Sequence, residues 1–272
     1  MIIDVHTHIW DKSEWESFKK KSGGKIEKVI SLPWCNNLRS GIPDVEKLLA
    51  FTETEPNIYA VGSIDIAGDM KKQLSRHEKL FQEGKIVGIK IYPGYRQFYP
   101  FDKRVVKIAQ LCKKYNKPLL IHSGDLWNSE DNALLKYAHP IHVDELATIC
   151  PETNIIICHF GFPFLMETAL VLNKHKNVYT DISGIVDECG DSHNFIKIEK
   201  QLIYDLKRVF TYYPLKDKTL FGTDYVGENT PLNQVQSYFR IIKELMNKEE
   251  QRHTFYRLPE KLFFGGTNVP HI

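Results

Sequence analysis

The chain has 272 residues, of which 42% are hydrophobic and 26% charged, with a net charge of +2 at neutral pH. That balance is globular, enough for one large domain or two small ones, and it excludes a disordered polyelectrolyte. No apolar run approaches the ~18 residues of a bilayer span and the basic residues are scattered, so neither membrane nor nucleic acid is an expected partner. The densest basic run, Lys19-Lys20-Lys21 before Ser22-Gly23-Gly24, reads as a solvated loop or helix end. Five cysteines form no Cys-x-x-Cys pair and sit mostly in apolar runs, and no signal-peptide pattern follows Met1; both point to a reducing cytoplasm.

Eight short segments rich in Ile, Val, Leu, Phe and Tyr are predicted strands. The first, Ile2 to His8, carries Asp4-Val5-His6-Thr7-His8, and residues two apart on a strand share a face. Lys28 to Leu32 and Ile58 to Asp65 follow, with a short helix expected between them at Asp44 to Thr54. Helical spacing over Met70 to Glu83 leads to a fourth strand, Val87 to Tyr92, and Lys103 to Tyr115 leads to a fifth, Pro118 to His122. A long interruption, Ser123 to His142, precedes the helix Val143 to Cys150 and the sixth strand, Asn154 to His159. The helix Phe164 to His175, the strand Asn177 to Asp181, the helix Ile196 to Tyr212, the strand Thr219 to Asp224 and the helix Leu232 to Lys248 complete the series. Continuous apolar runs such as Ile155-Ile156-Ile157-Cys158 suit parallel strands covered on both faces. Eight strand–helix steps of roughly 30 residues predict an α/β fold, a (β/α)8 TIM barrel forming a single domain over residues 1–272. An open doubly wound sheet is the rival, but no Gly-x-Gly-x-x-Gly turn follows any strand.

Chemistry-bearing residues recur at the predicted C-terminal strand ends: His6 and His8, Lys90, His122, His159 and Asp224. In a barrel these ends surround one mouth, where barrel enzymes carry their active sites. Two imidazoles side by side can hold a divalent ion, with zinc the default for nitrogen-rich sites. Singly, each has an ordinary reading: His122 as a satisfied core histidine, Asp224 as a helix cap. The remaining histidines read as structural, with His193, in the loop after the seventh strand, a remote candidate for the mouth.

Asp4-x-His6-x-His8, Ile121-His122, Cys158-His159-Phe160-Gly161 and Phe221-Gly222-Thr223-Asp224-Tyr225, in this order, resemble the amidohydrolase superfamily. More narrowly the chain resembles the amidohydrolase-related branch that includes aminocarboxymuconate-semialdehyde decarboxylase and several lactone hydrolases. Asn177-Val178-Tyr179-x-Asp181-x-Ser183-Gly184 is a further match. The resemblance implies that His6, His8 and His122 bind one divalent metal, zinc first and manganese second. Asp224 would be a further ligand or the base beside the activated water, and His159 the acid/base. A metal on neutral imidazoles lowers the pKa of bound water from 15.7 toward about 7, which suits hydrolysis.

Lys90 has three readings: a carboxylated lysine bridging two metals, a cation holding substrate oxygen or carboxylate, or a structural partner of a barrel carboxylate. The loop Tyr92-Pro93-Gly94-Tyr95-Arg96-Gln97-Phe98-Tyr99-Pro100 should overhang the mouth, where its rings and Arg96 would suit a planar or carboxylated substrate, or else pack on the barrel. Trp10, Trp34 and Trp127 also fall just past strand ends. Lys90, Tyr92, Arg96 and Trp127 are therefore the candidate substrate-binding residues. The expected function is metal-dependent hydrolysis of a small-molecule ester, lactone or amide. Non-oxidative decarboxylation of a carboxylated aromatic or dienoic acid on the same metal is the alternative, and a non-catalytic metal-binding barrel is the third reading. The resemblance also suggests a homodimer.

Overall fold

Eight strands pair in parallel and in chain order, as seen in a computed structural model that describes residues 1–33, 45–126, 132–186 and 192–265, without the side chains of 192–194. They are β1 (Ile3–Thr7), β2 (Lys28–Ser31), β3 (Ile58–Ser63), β4 (Ile86–Ile91), β5 (Leu119–Ile121), β6 (Ile155–Ile157), β7 (Val178–Asp181) and β8 (Thr219–Leu220). The ends meet: Val5 N–H donates to Phe221 O at 3.0 Å, Asp224 N–H to His6 O at 2.8 Å and His8 N–H to Tyr225 O at 2.7 Å. The fold is the expected (β/α)8 barrel, each strand followed by at least one helix.

Local chemistry sets the helix ends. Asp11, Asp69 and Asp102 accept backbone N–H bonds at the N-termini of the helices Lys12–Ser22, Met70–Gln82 and Lys103–Lys114. Asp11 and Gly23 bracket the helix Lys12–Ser22. Gly23 closes it in the left-handed conformation, and the Lys19-Lys20-Lys21 run forms its last turn, where positive charge complements the helix dipole.

Side chains sort into two layers. Ile3, Val5, Ile30, Leu32, Val61, Val87, Leu120, Ile156, Tyr179 and Leu220 fill the barrel interior. Their outward neighbours, such as Val29, Ile89, Leu119, Ile155 and Val178, pack under the surrounding helices. The helix Leu258–Phe264 plugs the N-terminal end by inserting Leu258, Leu262 and Phe263 into the interior cluster. Each such side chain contributes about 2 kcal/mol by burial. With one end plugged, only the C-terminal end is left to open as a cavity.

Two bulges set what points into that cavity. If Ile3 and Val5 line the interior, strict alternation sends His6 and His8 outward. The β1–β2 register shifts by one residue between Asp4 and Thr7, which reverses the phase and turns both rings inward. A shift opposite Ala60 and Gly62 does the same in β4, so that Val87 and Lys90, three apart, both face the interior.

Seven of the eight strands are shorter than expected, most of all β6 and β8. β6 stops at Ile157 rather than His159, and regular pairing in β8 stops at Leu220 rather than Asp224. In β6 the cause is backbone conformation, since His159 and Phe160 have φ of 61° and 49°, which a strand cannot accommodate; Asp224, at 53°, is excluded from β8 for the same reason. Among the described residues, no helix is long and apolar enough to cross a membrane.

Candidate active site

A cavity of about 460 Å³ opens at the C-terminal ends of the strands, and His6, His8, Lys90, His122, His159 and Asp224 all line it. The barrel thus gathers residues that are up to 218 positions apart, from Asp224 back to His6.

Hydrogen-bond partners fix where the ring protons lie. His8 Nδ1 is 2.9 Å from Leu32 O, and a carbonyl only accepts, so Nδ1 carries the hydrogen. His6 Nδ1 donates likewise to Asp181 Oδ2 at 3.1 Å. Both Nε2 atoms therefore carry lone pairs, and they lie 3.4 Å (His6) and 3.3 Å (His8) from the same oxygen, Asp224 Oδ1. Burial, and then the charge of Lys90, pulls the His6 pKa below its usual value, so a second proton does not relieve this meeting of acceptors. Burial opposes the charged form of Asp224, while the His6, His8 and His159 rings pull that carboxyl well below its ordinary range when they carry a proton. Two imidazole nitrogens and a carboxylate oxygen converging in this way fit a divalent cation, and their nitrogen–oxygen composition suits zinc.

His159 stands beside this focus. Its ring centroid is 4.7 Å from that of His6, and donor atoms of His6, His159 and Asp224 lie within 4.8 Å of one another. Its Nδ1 donates to Ser183 O at 3.1 Å, leaving Nε2 unprotonated. Burial pushes its pKa down to about 4, so the ring is neutral at pH 7. The expected ligands His8 and His122 line the cavity, but neither is in that group. His122 Nε2 donates to Asp125 O at 2.9 Å, which leaves the lone pair on Nδ1, and its ring packs 4.8 Å from Tyr95 and 5.0 Å from His159.

Lys90 is 1% exposed, and its Nζ lies 2.9 Å from Cys158 Sγ and 5.4 Å from the Tyr92 ring. Burial pushes the Cys158 thiol up to about 12, so the ammonium faces a neutral, weak acceptor. His6, Cys158 and Asp181 form a second group of metal-type donors within 4.8 Å of one another. In that group Asp181 already accepts from His6, and Lys90 contacts the sulfur.

Other expected residues divide. Tyr92 lines the cavity, with its hydroxyl donating to Pro33 O, and Tyr95 lines it too. Arg96 does not: its guanidinium pairs with Asp65 at 2.7 Å and is absent from the cavity wall, because a carboxylate from the neighbouring loop claims it first. Trp10 turns its indole N–H to Leu32 O. Trp34, Trp127 and the side chain of His193 lie outside the described residues. Sequence reasoning assigned no role to Asp4, Asp181, Ser183 or Gly184. The matched Asp181-x-Ser183-Gly184 run was the available signal, since acceptors placed after a buried strand invite hydrogen-bonding partners.

The chain matches the amidohydrolase family model over residues 54–264. Three solved structures superpose over nearly all of it. They are an amidohydrolase from Burkholderia multivorans with bound zinc (TM-score 0.69, 14% identity, 97% of this chain and 99% of that one), a probable 2-pyrone-4,6-dicarboxylic acid hydrolase from Acinetobacter baumannii with citric acid bound (0.66, 15%, 97% and 99%), and 2,6-dihydroxybenzoate decarboxylase from Rhizobium (0.66, 13%, 97% and 99%). At such identities the likeness is one of fold. Protein fluG of Emericella nidulans is 30% identical over 81 residues, which is 30% of this chain and 9% of that protein. With the family model matched over most of its length, the chain belongs to the amidohydrolase family.

Proposed function

We propose that the protein is a metal-dependent hydrolase acting on an ester, lactone or amide bond of a small molecule. The observation that carries this reading is the convergence of His6 Nε2 and His8 Nε2 on Asp224 Oδ1, at 3.4 Å and 3.3 Å. These three residues would hold one divalent cation, zinc before manganese, with the Nδ1 lone pair of His122 on the same cavity wall as a further donor. Bound there, the cation supplies Lewis acidity that activates water and polarises a carbonyl. His159, neutral and with Nε2 free, accepts a proton from the attacking water and returns it to the leaving group. Asp224, ionised and on the cavity wall, orients that water. Lys90 offers two N–H groups beyond its thiol contact, which suit a carboxylate or carbonyl oxygen of the substrate. Tyr92, Tyr95 and His122 form an aromatic wall, with His122 near-parallel to Tyr92 at 22° and tilted 57° from Tyr95, against which a planar substrate can pack.

The same wall and ammonium support a second reading, decarboxylation of an aromatic acid such as the 2,6-dihydroxybenzoate handled by the Rhizobium protein. One experiment separates the two. Zinc- or manganese-loaded protein is presented with lactones, esters, amides and aromatic acids while proton release and carbon dioxide are followed together. Chelator-sensitive acid release without carbon dioxide supports hydrolysis. Carbon dioxide from the aromatic acids replaces it with the second reading, and a chain that neither binds metal nor turns over any class contradicts both.

A further inference from the structure

Asp181 ends β7 directly beneath the cavity and is fully buried. It is not one of the residues that meet at the cation focus, yet its carboxylate touches both imidazoles around that focus, directly or through one hydroxyl. Oδ2 accepts from His6 Nδ1 at 3.1 Å. Oδ1 accepts three bonds: from the backbone N–H of His159 at 3.0 Å, the backbone N–H of Ser183 at 3.0 Å and the Ser183 hydroxyl at 2.5 Å. A serine hydroxyl has one hydrogen and two lone pairs. With that hydrogen committed to Asp181, Ser183 Oγ can only accept, and it lies 2.9 Å from His6 Nδ1 and 3.0 Å from His159 Nδ1. Every donor and acceptor is used once the hydrogen of both rings sits on Nδ1. No other arrangement satisfies the carboxylate, the hydroxyl and the Ser183 carbonyl together.

We infer that Asp181 is a positioning residue that fixes His6 in its Nδ1–H tautomer, and through Ser183 reinforces the same tautomer in His159, so that both Nε2 lone pairs face the cavity. A carboxylate behind a metal-binding imidazole commonly raises its basicity and orients it. Here one carboxylate serves two rings with different tasks, and it also holds the backbone of His159 in the left-handed conformation that brings this ring over the cavity. The significance for metal binding and proton transfer rests on the proposed function. The tautomers themselves do not.

The test uses Asp181→Asn. The three donors at Oδ1 select the amide oxygen, so the new NH2 must face His6 Nδ1. Contacts to the backbone survive, whereas His6 must now accept at Nδ1 and carry its hydrogen on Nε2. Long-range proton–nitrogen correlation spectra of histidine-labelled, metal-free protein distinguish the two tautomers. The expected wild-type result is Nδ1–H for both His6 and His159. In Asp181→Asn, His6 switches to Nε2–H while His159 keeps Nδ1–H, because the Ser183 carbonyl only accepts. Zinc affinity, read by titration, falls roughly 10- to 100-fold. A His6 that is already Nε2–H in the wild type, or that does not switch in the variant, overturns the inference. The wild-type spectrum decides even if the variant fails to fold. If wild-type protein binds no zinc, the proposed function fails while the tautomer result still stands or falls by itself.

Discussion

His159 and Asp224 combine a chemical role in the proposal with a left-handed backbone that non-glycine residues rarely adopt. Strain of this kind costs on the order of 1–3 kcal/mol per residue and persists only where surrounding bonds enforce it. Asp181 holds the His159 amide, and His6 O holds the Asp224 amide at 2.8 Å. Gly184 passes between the two side chains at φ +66°, where an added Cβ would lie 2.7 Å from His159 Nδ1 and 2.9 Å from Asp224 Oδ2. Gly184→Ala should therefore lose at least about 1 kcal/mol of stability in urea denaturation and weaken zinc binding by displacing both groups. Unchanged zinc affinity would show that the site absorbs the methyl. At this scale the histidines and Asp224 were legible, because few other reasons put such groups at strand ends. The fate of Arg96 was not, since the carboxylate that captures it lies 31 positions earlier in the chain.

The bulge in β1 decides whether His6 and His8 face the cavity, and Asp4 is built to hold it. Asp4 Oδ1 accepts the His6 N–H at 3.1 Å and the Thr223 N–H at 3.2 Å, and the Thr223 hydroxyl donates to Oδ2 at 2.7 Å. The carboxyl thus takes up an amide inside the irregular stretch of β1 and ties it to the turn that carries Asp224. Burial pushes the Asp4 pKa up to about 8, so a neutral amide is a close substitute at pH 7. Asp4→Asn should keep both stability and zinc binding. Asp4→Ala should lose about 1–3 kcal/mol in urea denaturation through its orphaned amides, and should lose zinc affinity as the phase of the strand slips. Equal zinc binding in the two variants would remove Asp4 from this role. Period-two reasoning paired His6 with His8 correctly, but it could not reveal that Ile3 and Val5 face the interior as well, because one extra residue in a strand leaves no compositional mark.

The barrel as a whole was readable from eight apolar runs spaced by helices, since closure needs only their order and length. Its plug at Leu258–Phe264 was not, because a short apolar helix looks the same whether it caps a barrel or lies on its flank. The buried imidazoles give the molecule a common pH response. His77 is the case remote from the cavity: it lies against Gly62, donates from Nδ1 to Gln73 O at 2.8 Å, and leaves Nε2 without a partner. Burial holds its pKa below the ordinary value of 6.5. The unfolded chain therefore binds the proton first, and stability is present above pH 6.5 and lost as pH falls below it. Urea denaturation should show declining stability from pH 7 to pH 5, and His77→Leu should flatten that slope by up to about 1.4 kcal/mol per pH unit; an identical slope would mean that His77 is not protonated on unfolding in this range. All of the functional reading depends on the two imidazoles at the end of β1 sharing one cation with Asp224 from the far end of the chain. Anomalous diffraction from zinc-soaked crystals tests this directly. A single peak bonded to His6 Nε2, His8 Nε2 and Asp224 is the expected result, whereas no peak, or one bonded to none of these, contradicts it.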